Sequence, residues 1–166
     1  MEKRTTLTPT DVLDRSLDLV KVDFAPVHAQ PRRLRVALAT LVSLVGSLLA
    51  DAALVAIGTA AFPATKGYVH FQFSDYARLT IIGIIIACIA WPIVTRISSA
   101  PRWLFFRMAI VVTVVLLLPD VYLLKQGQPA KAVAVLMCMH LAIALVTYNA
   151  LVRIAPIGRR RRDQSA

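Results

Sequence analysis

Long apolar runs dominate the chain, and short polar stretches separate them. Four runs are long enough to cross a membrane, at about residues 36–62, 79–97, 103–124 and 130–154. A spanning helix needs about 20 mostly apolar residues to cover the hydrocarbon core, which is roughly 30 Å thick. Because lipid offers the backbone no hydrogen-bond partners, each run must form a helix. The pattern predicts an all-α fold, a polytopic membrane protein with a four-helix transmembrane domain at residues 32–156.

Residues 1–31 form a predicted cytoplasmic arm, because no apolar run there is long enough to span a membrane. Thr8, Pro9 and Asp11 are typical of a helix start, and the helix is expected to reach about Val22. This helix is amphipathic and carries more acids than bases on its polar face. That charge favours packing on the membrane domain or on a protein partner over binding to anionic lipid. The apolar positions expected to contact a partner are Leu13, Leu17 and Val20.

Composition strengthens the membrane assignment. The chain is 58% hydrophobic and 17% charged, with a mean hydropathy of +0.68, whereas soluble domains are about half apolar and about a quarter charged. The 19 Lys and Arg residues outnumber the 9 acids. They cluster at the ends of the apolar runs, so the excess indicates membrane topology and not a nucleic-acid partner.

The Lys and Arg residues also predict an orientation. Fifteen lie on one side of the predicted bundle and four on the other. The positive-inside rule then places both termini in the cytoplasm. Residues 157–166 are a basic cytoplasmic tail. Its Arg159, Arg160, Arg161 and Arg162 are expected to contact anionic inner-leaflet lipid, at about 1 kcal/mol per charge.

Aromatic and small residues give further expectations about the spans. Trp91 and Trp103 flank the predicted inner turn, which is typical of an aromatic belt at the membrane surface. The outer loop alternates apolar and polar residues over 68–73, which predicts a short extended stretch. In the second span, Gly83 and Ala87 form a step of small residues that favours close helix packing.

Polar residues recur along one face of the first span. Ser43, Ser47 and Asp51 follow one another at four-residue steps, so all three share a face that is expected to point at other helices. A packing seam with hydroxyl hydrogen bonds is one interpretation. A functional site is the other, because an ionisable residue inside a span is costly. An ion pair with Arg78 or Lys131 would make the burial of Asp51 tolerable.

Two more ionisable residues interrupt the later spans. Asp120 follows Pro119 near the outer end of the third span and either faces water or joins a mixed-charge outer rim. His140 lies near the middle of the fourth span, either as a neutral residue hydrogen-bonded between helices or as a proton relay with Asp51. Such a rim could receive a lipid headgroup or a periplasmic partner. Its other members are Asp51, Asp75, Arg78, Lys125 and Lys131.

No metal, cofactor or catalytic motif is predicted. The run Met137-Cys138-Met139-His140 contains soft ligands that suit copper, but only Met137 and His140 share a side of the helix. Cys88 and Cys138 are interpreted as apolar fillers inside the bilayer. Because no glycine phosphate loop, zinc-protease helix or serine elbow occurs in the sequence, we expect a protein that is not an enzyme.

Three short motifs add a family resemblance. They are Pro31-Arg32-Arg33 before the first span, Met139-His140-Leu141 in the last, and Arg153-Ile154-Ala155-Pro156 at its end. Through them, residues 31–156 resemble a group of small four-helix membrane proteins of actinobacteria whose domain has no known function. The resemblance implies four spans and a bacterial plasma membrane, and it implies no activity.

The functional expectation is a non-enzymatic accessory or scaffold subunit of a cell-envelope or membrane assembly. Small-residue seams and short loops without a catalytic constellation favour it, with membrane lipids and either a homo-oligomer or a larger membrane protein as partners. The alternative is a small oligomeric carrier of a lipid-linked or amphiphilic molecule, for which Asp51 and His140 could provide coupling to protons.

Overall fold

The computed structural model describes residues 9–19, 21–23 and 28–159, and these contain four long helices. All four are long and apolar enough to cross a membrane, which confirms the predicted fold class. The chain order is α1 (Pro9–Leu19), β1 (His28–Ala29), α2 (Arg33–Ala61), α3 (Phe73–Ile97), α4 (Pro101–Lys125), α5 (Ala130–Ile154) and β2 (Gly158–Arg159). We call the end of the bundle where α2 begins and α5 ends the arm end, and the opposite end the loop end.

Several predicted features fall outside the described residues. Val20 and residues 160–162 of the arginine run are among them, as is Thr8 at the predicted helix start. The side chains of Leu13 and Arg159 also lie outside the description. The arm does contain helix α1, which ends at Leu19, three residues before the predicted end. Its amphipathic character stays a prediction.

The loop between α2 and α3 differs from the predicted extended stretch. Residues Val69–Phe71 form a 3-10 turn, and α3 begins at Phe73, six residues before the predicted span. Asp75 lies in the first turn of α3, where a carboxylate stabilises the positive end of the helix dipole. The alternating stretch is therefore a 3-10 turn that leads into α3.

The longest helix interface runs between α2 and α5, which are antiparallel, and two glycines fix its register. A Cβ at Gly46 would lie 3.0 Å from Val146, and one at Gly58 would lie 2.7 Å from Val135. Glycine allows this close approach of the two backbones. A Cβ at Gly83 would meet nothing within 4 Å, so the prediction that Gly83 forms a packing seam is wrong.

An apolar core fills the arm end of the bundle. Ile84, Trp91 and Leu151 are fully buried there, together with Phe105. The Trp91 indole Nε1 donates a hydrogen bond of 2.9 Å to the carbonyl oxygen of Ala155. Trp91 is thus a core residue, and its assignment to an aromatic belt was wrong, whereas Trp103 is 36% exposed.

Candidate functional site: a polar cluster in the bundle and a clasp at the arm end

The Asp51 carboxylate lies in the loop-end half of α2 and is fully buried. Its Oδ2 accepts a hydrogen bond of 2.8 Å from the Thr80 hydroxyl on α3. Burial follows from the four-residue spacing with Ser43 and Ser47, which are also fully buried. The predicted face of α2 is therefore confirmed.

The predicted ion pair of Asp51 with Arg78 or Lys131 is wrong. The Lys131 ammonium lies 4.9 Å from the centre of the Phe62 ring, just beyond the end of α2. Asp51 lies ten residues before that end, about 15 Å deeper along the helix. Arg78 is exposed, and two residues along a helix rotate it to nearly the opposite side from Thr80.

Asp120 and His140 form the one ion pair found among the described residues. The His140 Nδ1 lies 3.1 Å from the Asp120 Oδ2 and 3.0 Å from the carbonyl oxygen of Leu136 one turn earlier. Asp120 is 3% exposed, so the prediction that it faces water is wrong. Its burial follows from the packing of α4 against α5, across which it contacts His140.

His140 does not contact Asp51 directly, but the two lie close in space. Gly46 faces Val146 and Gly58 faces Val135 across the two antiparallel helices. Asp51 lies between these two contacts, at the level of His140 and Leu141. The charge of His140 acts on the carboxylates of both Asp51 and Asp120. The structure thus gathers Asp51, Asp120 and His140 into one polar cluster, and the charge of His70 in the loop also acts on Asp120.

Three buried hydroxyls extend this cluster toward the middle of the bundle. Ser43, Ser47 and Thr147 are buried, and neither their hydroxyl oxygens nor the Asp51 Oδ1 has a hydrogen-bond partner among the described residues. The α2–α5 register places Thr147 between Ser43 and Ser47. Together they form a line of polar oxygens on the seam between α2 and α5.

Other hydroxyls of the same bundle behave differently. Thr40, Thr59 and Thr113 donate to carbonyl oxygens one turn earlier in their own helices, at 2.9, 2.8 and 2.7 Å. This back-bond is the usual way in which a hydroxyl is satisfied within an apolar helix. Ser43, Ser47 and Thr147 do not make it, so their oxygens are left to interact between the helices.

The remaining rim residues do not join the cluster. Arg78 and Lys131 are exposed and Asp75 is half-buried, and none forms an ion pair within the described part of the chain. Tyr68 of the loop lies nearer to the cluster. Burial, and after it the charge of Asp120, raises the pKa of the Tyr68 phenol from 10.0.

A second candidate site is a clasp at the arm end, formed by residues 21–23, 28–30, 95–99 and 155–159. The Asp23 N–H donates to the carbonyl oxygen of Ile97 at 2.7 Å, and the Ser99 N–H donates to that of Lys21 at 3.2 Å. The Ser98 hydroxyl also donates to the Lys21 carbonyl, at 2.7 Å. These bonds attach the arm to the turn between α3 and α4.

Side chains and a short sheet complete the clasp. The Thr95 hydroxyl donates to the Gln30 Oε1 at 2.8 Å, and the Gln30 Nε2 donates to the Thr95 carbonyl at 3.2 Å. Strand β1 pairs antiparallel with β2, with His28 opposite Arg159. The segments before α2 and after α5 therefore meet at one end of the bundle.

Helix α1 leads directly into the clasp. Leu17 is half-buried and lines a shallow groove with Asp14, Asp18, Val22 and Ser99. Leu19, on the other side of the helix, is 74% exposed. A partner contact at Leu13, Leu17 and Val20 stays a prediction.

The described residues contain no group of three His, Cys, Asp or Glu side chains that could hold a metal ion. Met139 is buried, whereas Cys138 is exposed. The soft ligands of this run therefore face different surroundings, which follows from their succession along one helix.

The sequence contained one signal for a partner that we did not predict. Thr80 is the only hydroxyl residue in the apolar stretch 79–90, and an isolated hydroxyl in such a stretch favours an interhelical hydrogen bond. The Gln30–Thr95 pair gave no comparable signal, because 65 residues separate its members.

Comparison with known proteins identifies a family. Residues 27–156 match the family described as "Family of unknown function (DUF6069)", and the chain belongs to this family. The resemblance to a family of unknown function is thereby confirmed. Neither the curated proteins nor the solved structures include a match.

Proposed function

We propose that this DUF6069 member is a non-enzymatic accessory or scaffold subunit of a membrane assembly in the plasma membrane of an actinobacterium. Both termini lie in the cytoplasm in this proposal, because the arm end carries most of the Lys and Arg residues. In this role the protein binds a partner, which is a second copy of the chain or a larger membrane protein. Membrane lipids surround the bundle.

The observation that carries the proposal is the clasp. Two main-chain hydrogen bonds, from the Asp23 N–H to the Ile97 carbonyl and from the Ser99 N–H to the Lys21 carbonyl, fix the end of the arm to the turn at residues 97–99, and such bonds hold a segment in one orientation. Helix α1 precedes these residues in the sequence and carries two exposed acids, Asp14 and Asp18. A cytoplasmic helix that is held against a membrane bundle can present a fixed binding surface to a partner protein.

The test is affinity purification of the full chain in mild detergent, with cross-linking in native membranes as a second measurement. We expect a stoichiometric partner or a defined homo-oligomer. Leu17→Lys should reduce its recovery severalfold, whereas Leu19→Lys, on the other side of α1, should leave recovery unchanged. A monomer in both detergent and native membranes would contradict the proposal.

The Asp120–His140 pair favours a second candidate function, a small oligomeric carrier of a lipid-linked or amphiphilic molecule that is linked to protons. An ion pair buried between α4 and α5 at 3.1 Å is costly in a span and typical of proton pathways. Histidine changes its charge near neutral pH and so suits proton transfer. Because four helices are few for a monomeric carrier, this candidate requires an oligomer.

Proton flux tests the carrier directly. The protein is reconstituted into phosphatidylethanolamine–phosphatidylglycerol vesicles that contain a pH-sensitive dye, and a potassium gradient with valinomycin drives protons inward. We expect acidification above that of empty vesicles, and Asp51→Asn and His140→Ala should each abolish it. Equal flux in the wild type and both variants would exclude the carrier.

A further inference from the structure

Asp51 has no positive charge in contact with it among the described residues. Asp51 and Asp120 are both buried, and the charge of His140 acts on both of them, but His140 contacts Asp120. The charge of His70 in the loop also acts on Asp120. Even with both histidines charged, Asp51 therefore lacks a contacting counter-charge. A buried, uncompensated carboxylate is strongly unfavourable.

Polar oxygens without partners lie beside the uncompensated carboxylate. The Asp51 Oδ2 accepts a hydrogen bond from Thr80, while the Asp51 Oδ1, the Ser47 Oγ and the Thr147 Oγ1 have no hydrogen-bond partner in the described part of the chain. Asp51 and Ser47 are fully buried, and Thr147 is 4% exposed. All three belong to the α2–α5 seam.

The helix geometry brings these oxygens toward one point. Ser47 lies one turn from Asp51, about 6 Å along the axis. Side chains on a helix lean toward its N-terminus, so Thr147 on antiparallel α5 leans toward the level of Ser47 and Asp51. Ser43 lies a further turn away and continues the line.

We propose that the Asp51 Oδ1 and the hydroxyl oxygens of Ser47 and Thr147 bind one monovalent cation of the sodium class between α2 and α5. Carboxylate and hydroxyl oxygens are ligands for hard cations, and one missing charge favours a monovalent ion over a divalent one. The absence of back-bonds at Ser47 and Thr147 leaves their oxygens available for the ion.

The surrounding residues indicate the side from which the ion enters. Ile84, Trp91 and Leu151 form an apolar barrier at the arm end. The loop end is polar, with the Asp120–His140 pair beside Tyr68, and the side chain of His140 is 27% exposed. The ion therefore enters from the loop end.

The test measures ion binding to the detergent-solubilised full chain. Thermal unfolding is compared in sodium, potassium and choline chloride at equal ionic strength and constant pH, and binding of radioactive sodium is measured in parallel. A hundredfold excess of ion over Kd raises Tm by roughly 5 to 10 °C. We expect this rise in Tm in sodium chloride relative to choline chloride, together with saturable binding of one sodium ion per chain. The measurement in potassium chloride shows which alkali ion is preferred.

Two variants and a control make the test specific. Asp51→Asn and Ser47→Ala should each weaken binding at least tenfold and remove the ion-dependent rise in Tm. Thr113→Val is the matched control, because its hydroxyl donates to its own helix, and it should retain both effects. If Asp51→Asn does not fold, Ser47→Ala still decides.

Three outcomes would overturn the site. They are equal Tm values in all three salts without saturable sodium binding, retention of binding in Ser47→Ala, and stabilisation of the wild type by acid alone. The last would show a protonated Asp51 in place of a bound ion. The site does not rest on the accessory role or on the carrier. The carrier shares Asp51 with the ion site, so Ser47→Ala is the variant that tests the ion site alone.

Discussion

Single residues inside the bundle show how a span accommodates charge. Asp120 alone would be an uncompensated carboxylate among apolar side chains, and His140 on the facing helix supplies its partner at 3.1 Å. Asp51 is accommodated by a hydroxyl, at 2.8 Å from Thr80. Two carboxylates at the same end of the bundle therefore have different environments and different expected responses to mutation.

Removal of one partner of the ion pair should destabilise the bundle. Asp120→Asn and His140→Gln are each expected to lower the free energy of unfolding by about 1–3 kcal/mol. This is below the full cost of breaking a buried pair, because His140 is partly exposed. The measurement is unfolding by a denaturing detergent, analysed as a double-mutant cycle. Asp75→Asn, which breaks no ion pair among the described residues, should cost less than about 1 kcal/mol. Additive effects of the two mutations would contradict a direct interaction.

The Tyr68 phenol should lose its proton at a higher pH than an unperturbed tyrosine. Burial raises the pKa of its phenol above 10.0, with a further contribution from the Asp120 carboxylate. Because the neutral phenol is favoured in the folded state, its contribution to stability is complete below pH 10.0 and is lost as the pH rises through the higher folded value. A difference ultraviolet titration of the wild type and Tyr68→Phe should show one phenolate forming above that pH. Formation at or below it would contradict the prediction.

At the scale of helices, packing is decided by where backbones approach. The α2–α5 seam has glycines at two points of close approach, Gly46 and Gly58, whereas Gly83 of α3 faces open space. The sequence offered the same type of residue at all three positions. The lipid-facing and core-facing sides of a span are both apolar, so the sequence pattern alone does not separate a packing glycine from an exposed one.

Alanine substitutions should distinguish these glycines. Gly58→Ala would place a Cβ 2.7 Å from the Val135 Cγ2, and such overpacking is expected to cost about 1–3 kcal/mol of unfolding free energy. Gly83→Ala, in open space, should be neutral or stabilising by up to about 1 kcal/mol. The double variant Gly58→Ala with Val135→Ala should recover part of the loss. Equal stability of the two single variants would contradict the α2–α5 register.

For the whole molecule, composition predicted more than any single residue did. The four helices follow from hydropathy and length, and the buried face of α2 follows from the spacing of Ser43, Ser47 and Asp51. The pairing of Asp120 with His140 did not follow, because it depends on how α4 and α5 are rotated about their axes. Trp91 was misassigned for the same reason, since a tryptophan near a span end suits either the membrane surface or the core.

The orientation across the membrane is a prediction at this scale. In a chain with Cys88→Ala and Cys138→Ala, a cysteine at Lys66 in the loop should react with a membrane-impermeant maleimide on intact cells. A cysteine at Arg102, at the arm end, should react only after the membrane is permeabilised, because the cationic end faces the cytoplasm. Labelling of Arg102→Cys on intact cells would reverse the orientation.

The two tryptophans also give the protein a built-in optical probe. Trp91 is sealed among Ile84, Val94 and Phe105, and its indole is hydrogen-bonded to the end of α5, whereas Trp103 is partly exposed beneath the Arg107 guanidinium. In a Trp103→Phe chain, tryptophan fluorescence would therefore come from Trp91 in the core alone. A polar quencher would reach the Trp91 indole only when the helices separate. Loosening of the core could then be followed in intact vesicles without an added dye.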